Sequence, residues 1–172
     1  MFRHLLIANC GEIASRVIRT CRTLGIASVA IYSDIDATEL HVTEADHAQA
    51  IGPAPARDSY LKIGHVIDAA SRSGAEAIHP GYGFLPENAE FSDACRHAEI
   101  SCVGPSPAVI ARAGTKIKAR RLAESAGVPV VPGSTPDDQA SARLRRAIGT
   151  ASGSPPSSRP QPAAGKKVCE WC

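Results

Sequence analysis

Short apolar runs alternate with amphipathic stretches along the first two-thirds of this chain. Arg3–Ala8 is an apolar run that stops at Asn9-Cys10-Gly11, and it predicts a buried strand. Behind it Ile13, Ala14, Val17, Ile18, Cys21 and Leu24 recur at helical spacing, and Gly25 closes the helix. Ser28–Tyr32 is a second β-rich run, ending at Ser33-Asp34. These make one strand–helix–strand unit with its turn at Asn9–Glu12. The pattern then repeats. Ala48–Ile51 reads as a strand broken by Gly52-Pro53-Ala54-Pro55, and Ile63, Val66, Ile67 and Ala70 line a helix. Ala77-Ile78 is a strand, Phe91, Ala94, Cys95 and Ala98 mark a helix, and Ser101–Val103 is a further strand.

Strands alternating with helices imply an α/β domain, with a mainly parallel sheet covered by helices on both faces. Ligands of such sheets sit at the carboxyl ends of strands, where Asn9–Glu12, Ser33-Asp34 and His79–Asn88 all fall. Near Gly104-Pro105-Ser106-Pro107 the pattern changes. Helices are expected at Ala108–Ala113 and Lys116–Ala126, a strand at Val128–Val131, a turn at Pro132-Gly133-Ser134 and a helix at Gln139–Ile148. Residues 150–165 are almost wholly Ser, Pro, Gly, Ala and Thr without apolar periodicity, a composition that predicts disorder. The expected divisions are therefore 1–112, 113–149 and 150–172.

The 172 residues are 44% hydrophobic and 21% charged with a net charge of +2, which describes a globular protein without a nucleic-acid footprint. No apolar run approaches the ~20 residues of a membrane span. The apolar stretch near the start, Leu5–Ala8, is shorter than the ~7–15 residues of a secretion signal. A cytoplasmic protein is expected, with its six cysteines as thiols. Cys169-x-x-Cys172 lacks the second ligand pair of a structural zinc site, so no metal ligand is assigned. The richest segment is His79-Pro80-Gly81-Tyr82-Gly83-Phe84-Leu85-Pro86-Glu87-Asn88. A loop that only reverses direction needs Gly and Pro, not a histidine, a tyrosine and a glutamate as well.

Several of these segments together resemble one family. They are Ile7–Ala14, Gly52-Pro53-Ala54-Pro55, Ser59-Tyr60-Leu61, His79–Asn88, Gly104-Pro105, Gly114-Thr115-Lys116 and Ala126–Gly133. In this order they are similar to the N-terminal domain of biotin carboxylase, the ATP-dependent component of acetyl-, propionyl- and methylcrotonyl-CoA carboxylases. The resemblance runs from Met1 to about Gly149. It implies a Rossmann-like, pre-ATP-grasp domain over 1–112 and the start of an ATP-grasp domain over 113–149. It also implies ATP, magnesium and biotin as the family's cofactors, with a biotin carboxyl carrier and a carboxyltransferase as partners. Lys116 matches a lysine that contacts ATP. Tyr82 and Gly83 resemble the loop that walls the biotin pocket, and Asn9, Gly11 and Glu12 lie at the first strand's switch point. Arg16 and Arg19 resemble arginines of the family's homodimer face.

Three positions depart from the family pattern: Cys10 replaces an arginine, Pro86 a serine with capping capacity, and Thr115 an aspartate. The larger departure follows Gly149, where the family continues into a strand and a glycine-rich phosphate loop. Here the codons that Ala151–Pro155 and Lys167–Cys172 permit restore the family wording in a shifted frame. Residues 150–172 are thus expected to be an out-of-frame tail, which sequencing the gene would decide. No residue of this chain is assigned a catalytic role, and none of the cofactors is expected to bind tightly. The competing expectation is a non-enzymatic protein that folds alone or pairs with an intact carboxylase subunit. Other pre-ATP-grasp ligases, of purine or carbamoyl phosphate synthesis, fit the wording of His79–Asn88 less well.

Overall fold

The structure, a computed structural model, describes residues 2–131. Among them five parallel strands form one sheet in the order β3-β2-β1-β4-β5. The strands are β1 (His4–Ile7), β2 (Ala27–Tyr32), β3 (His47–Ala50), β4 (Ala77–His79) and β5 (Ser101–Cys102). The helices are α1 (Gly11–Leu24), α2 (Leu40–Glu44), α3 (Ile63–Ser73), α4 (Ala89–His97), α5 (Pro107–Ala113) and α6 (Lys116–Ser125). Short 3₁₀ turns stand at Asp34–Asp36 and Ala56–Asp58. The expected α/β parallel sheet is present.

Alternation along β1 shows why the sheet is covered twice. Successive strand side chains point to opposite faces. Leu6 and Ala8 join Val29, Ile31 and Ile78 in a cluster with Val66, Ala69 and Ala70 of α3 and Phe91 and Cys95 of α4. Ile7 faces the other way, onto Ala14 and Ile18 of α1, while Leu5 meets Cys21 and Ala77. Truncating Ile18, which is wholly buried, to Ala is worth about 2–5 kcal/mol. Gly25 ends α1 in the left-handed conformation, its N–H bonding back to the Arg22 carbonyl.

β1 pairs with β2 on one side and β4 on the other. The chain therefore leaves β1 toward one edge and later returns to build the other. That reversal opens a crevice at the carboxyl ends of β1 and β4.

Compactness divides the chain between Ala111 and Arg112, so α6 belongs to a second unit. Thr115 caps α6, its hydroxyl accepting from the Lys118 N–H at 3.2 Å. The strand expected at Val128–Val131 does not form; these residues have no ladder partner among the described residues, and a strand without a neighbour has nowhere to place its hydrogen bonds. The turn at 132–134, the helix at 139–148 and the tail at 150–172 lie outside the described residues.

Candidate functional site

The crevice at the reversal is organised by one side chain. Asn9 follows β1 and is buried. Its amide nitrogen donates to the Pro80 carbonyl at 3.0 Å and to the Tyr82 carbonyl at 2.9 Å. Its amide oxygen accepts the Cys10 N–H at 3.0 Å. Three of its four hydrogen-bonding positions are thus used, which fixes the amide's orientation. Asn9 ties the loop after β1 to the loop after β4, across 71 and 73 residues of sequence.

The same contact explains Gly81. Its φ is +64°, and a Cβ there would lie 2.6 Å from the Asn9 amide nitrogen. Both the left-handed backbone and the close approach therefore require glycine. Gly11, at φ +61°, makes the sharp entry into α1 with open space around it, so there only the backbone demands glycine. Glu12 follows in the first turn, where the helix dipole favours an acid, and accepts the Tyr82 hydroxyl at 3.0 Å. Tyr82 is otherwise turned outward, 60% exposed, with Gly83 beside it. Asn9, Gly11, Glu12, Tyr82 and Gly83 are thus brought together at one end of the sheet.

His79 closes the base of the loop. Its ring Nδ1 accepts the Gly81 N–H at 3.0 Å, and its carbonyl accepts the Ala8 N–H at 2.9 Å. Burial holds this imidazole below its ordinary pKa, and the neutral form is the one that can accept. The far limb is anchored by Phe84, stacked on Tyr60 with ring centroids 5.2 Å apart and planes 10° from parallel. Tyr60 is fixed in turn: its hydroxyl donates to Asp36 at 2.6 Å and accepts the Ser33 N–H at 3.2 Å, while Ser33 bonds Asp36 as well. Burial, then the bond to Asp36, pushes the Tyr60 phenol upward. At the exit, Asn88 caps α4 by accepting the N–H groups of Glu90 at 2.8 Å and Phe91 at 3.2 Å.

The anchoring roles of Gly81 and Tyr60 escaped the sequence reading, whereas Asn88, directly before a helical pattern, is legible there as opening the helix. Arg16 and Arg19 lie exposed on α1. Arg19 pairs with Glu44 of α2 at 3.2 Å. The Ser15 hydroxyl, followed by Arg19, holds the Glu44 carboxyl below the usual carboxylate range. Lys116 opens α6 in the second unit and is exposed. Cys10 is buried and disulfide-bonded, in contrast to the thiol expected, whereas Cys21, Cys95 and Cys102 are thiols. Among the described residues no group of three His, Cys, Asp or Glu is placed to hold a metal ion. No helix among them is long and apolar enough to cross a membrane.

Comparison with known proteins places this geometry. The family described as biotin carboxylase, N-terminal domain, matches residues 1–110. The biotin carboxylase of Halalkalibacterium halodurans is 52% identical over 152 residues, covering 87% of this chain and 34% of that protein. The alpha subunit of methylcrotonoyl-CoA carboxylase of Oryza sativa subsp. japonica is 53% identical over 129 residues, 75% of this chain and 18% of that protein. A solved structure of the biotin carboxylase domain dimer of Hydrogenobacter thermophilus 2-oxoglutarate carboxylase, in complex with MgADP, ADP and bicarbonate, matches with TM-score 0.75 at 45% identity. It covers 88% of this chain and 33% of that one. The chain spans about a third or less of the length of these relatives. Through residues 1–110 it belongs to the biotin carboxylase N-terminal domain family.

Proposed function

We propose that this chain is the N-terminal part of a biotin carboxylase-type, ATP-dependent ligase, and that it supplies one wall of the biotin site. The observation that carries this reading is the Asn9 clamp, which sets Tyr82 and Gly83 at the crevice mouth. In the family reaction ATP activates bicarbonate as carboxyphosphate, and the carboxyl group passes to N1 of biotin on a carrier protein for acyl-CoA carboxylation. What these residues do is shape. An exposed phenol held at 3.0 Å by Glu12 and an adjacent glycine offer a flat, narrow surface to a bicyclic ring. Lys116 is the residue that would meet ATP, as a point charge on phosphate. The described residues do not form a magnesium site.

Phosphoryl transfer depends on metal ions and cationic groups around the phosphates. Among the described residues the candidate for a phosphate contact is Lys116, and on this reading the described residues by themselves neither bind a cofactor tightly nor carboxylate biotin. A biotin titration followed by backbone NMR tests the reading. The Tyr82 and Gly83 amides should shift progressively into the millimolar range while strand amides such as Leu6 and Val29 stay fixed. Shifts that avoid the loop would refute it.

A second reading draws on α1, where Arg16 is exposed and has no ion pair among the described residues. A face of this kind, carrying Arg16 and Arg19, suits pairing with a second copy or with an intact carboxylase subunit. Size-exclusion of the chain with and without a full-length subunit decides it: co-elution that Arg16→Glu abolishes supports pairing, and separate elution refutes it.

A further inference from the structure

Beneath the loop lies a pair of thiols that the proposed reaction does not use. Cys95 faces inward from α4 with none of its surface exposed, and Cys102 ends β5, partly buried against the same cluster. Their connection is short. After α4, Glu99 takes φ 57° and the Ile100 N–H bonds back to the Cys95 carbonyl at 2.9 Å, which turns β5 up beside the helix. The two side chains pack in the same apolar cluster, near enough for each to shift the other's ionisation. One of them is accessible. Cys102 lines a cavity of about 250 Å³ together with Pro80, Leu85, Phe91, Ser92 and Val103, whereas Cys95, wholly buried, does not line it.

We propose that Cys102 is a modification site for small disulfides, and that Cys95 resolves the adduct to leave a Cys95–Cys102 disulfide. The Cys102 thiolate attacks one sulfur of a low-molecular-weight disulfide. A mixed disulfide forms, the reagent's own S–S bond breaks, and the first thiolate leaves and takes up a proton. Cys95 then gives up its proton and attacks the Cys102 sulfur, and the second thiol leaves. Two cysteine thiols lose two electrons in total, and one small disulfide becomes two thiols.

The environment suits this order of events. Hydrogen bonding from Cys95, with a further bond from Ser92, draws the Cys102 thiol down to about 7, and the same contact pushes Cys95 upward. Cys102 is therefore the nucleophile near neutral pH. Once it is capped, the negative charge that holds Cys95 protonated is gone, and the resolving thiol is released for attack.

The full chain supplies the test, with 2-hydroxyethyl disulfide as the probe. After acid quenching and cleavage at Lys and Arg, Arg96 separates the two cysteines. The expected product is peptide 73–96 joined to peptide 97–112, lighter than their sum by two hydrogens and separated again by reductant. Cys95→Ser should stop at a stable mixed disulfide on Cys102, and Cys102→Ser should leave Cys95 unmodified. The unmutated chain gives an independent reading through the pH dependence of Cys102 alkylation by iodoacetamide. Half-maximal reactivity near pH 7 is expected, whereas a value in the ordinary thiol range of about 8.5 overturns the proposal. An adduct on Cys102 that never links to Cys95, or a Cys102 that does not react in the folded chain, overturns it as well.

Discussion

Replacing Asn9 by Ala should unfasten the loop and lower the stability of the domain together. The side chain is 4% exposed and makes three hydrogen bonds of 2.9–3.0 Å, two to loop carbonyls and one from the Cys10 N–H. Each is worth about 1 kcal/mol net, and a buried group left unsatisfied costs about 1–3 kcal/mol. The Pro80 contact is buried, whereas the Tyr82 carbonyl is only partly so and can turn to water. Asn9→Ala should therefore cost about 2–4 kcal/mol. With a urea slope of about 2 kcal/mol per molar, the far-UV circular dichroism midpoint falls by roughly 1–2 M. Hydrogen exchange should accelerate across 80–88 well before it does in β1. Asn9→Asp is the sharper control. It keeps the acceptor for Cys10 but aims an oxygen at two carbonyl oxygens, so it should be no better than Ala. A loss below about 0.5 kcal/mol for Asn9→Ala, or a wild-type midpoint for Asn9→Asp, would refute the clamp.

Further outcomes follow from neighbouring contacts. Gly81→Ala places a methyl 2.6 Å from the Asn9 amide at φ +64°; with about 1–2 kcal/mol of backbone strain and about 1–3 of overpacking it should cost about 2–5 kcal/mol by urea unfolding. Tyr60→Phe removes the donor to buried Asp36 while keeping the Phe84 stack, and should cost about 2–3 kcal/mol by the same measurement. The Ser28 N–H and then the Ser28 hydroxyl hold Asp46 below its ordinary value of 3.8. Its folded pKa is depressed, so its stabilisation is present above that value and is lost as pH falls through the folded one. Asp46→Asn should accordingly flatten the acid limb of a stability-against-pH curve below about pH 4.

The legible part of this fold was the part set by periodicity. β1, β2 and β4 are apolar runs because both sheet faces are covered, and α1 and α3 show their stripes because each buries one side. α2, at Leu40–Glu44, escaped notice because five residues are too few to display a helical period. Val128–Val131 misled for the opposite reason: β-branched composition is local, whereas a strand needs a partner. At the site, the chain marked the loop but not what fixes it. Asn9 and Gly81 belong to each other across 72 positions, and Tyr60 reaches Asp36 from 24 residues away. Contacts of that range leave no periodic trace in a single sequence.

On the proposed function, the described residues wall a biotin site and do not by themselves supply the groups that activate bicarbonate. Biotin-dependent ATP cleavage by the purified 172-residue chain, in bicarbonate and magnesium, tests it most directly. Phosphate release no faster than the protein-free blank is expected, with or without biotin. Biotin-stimulated release above that blank would contradict it.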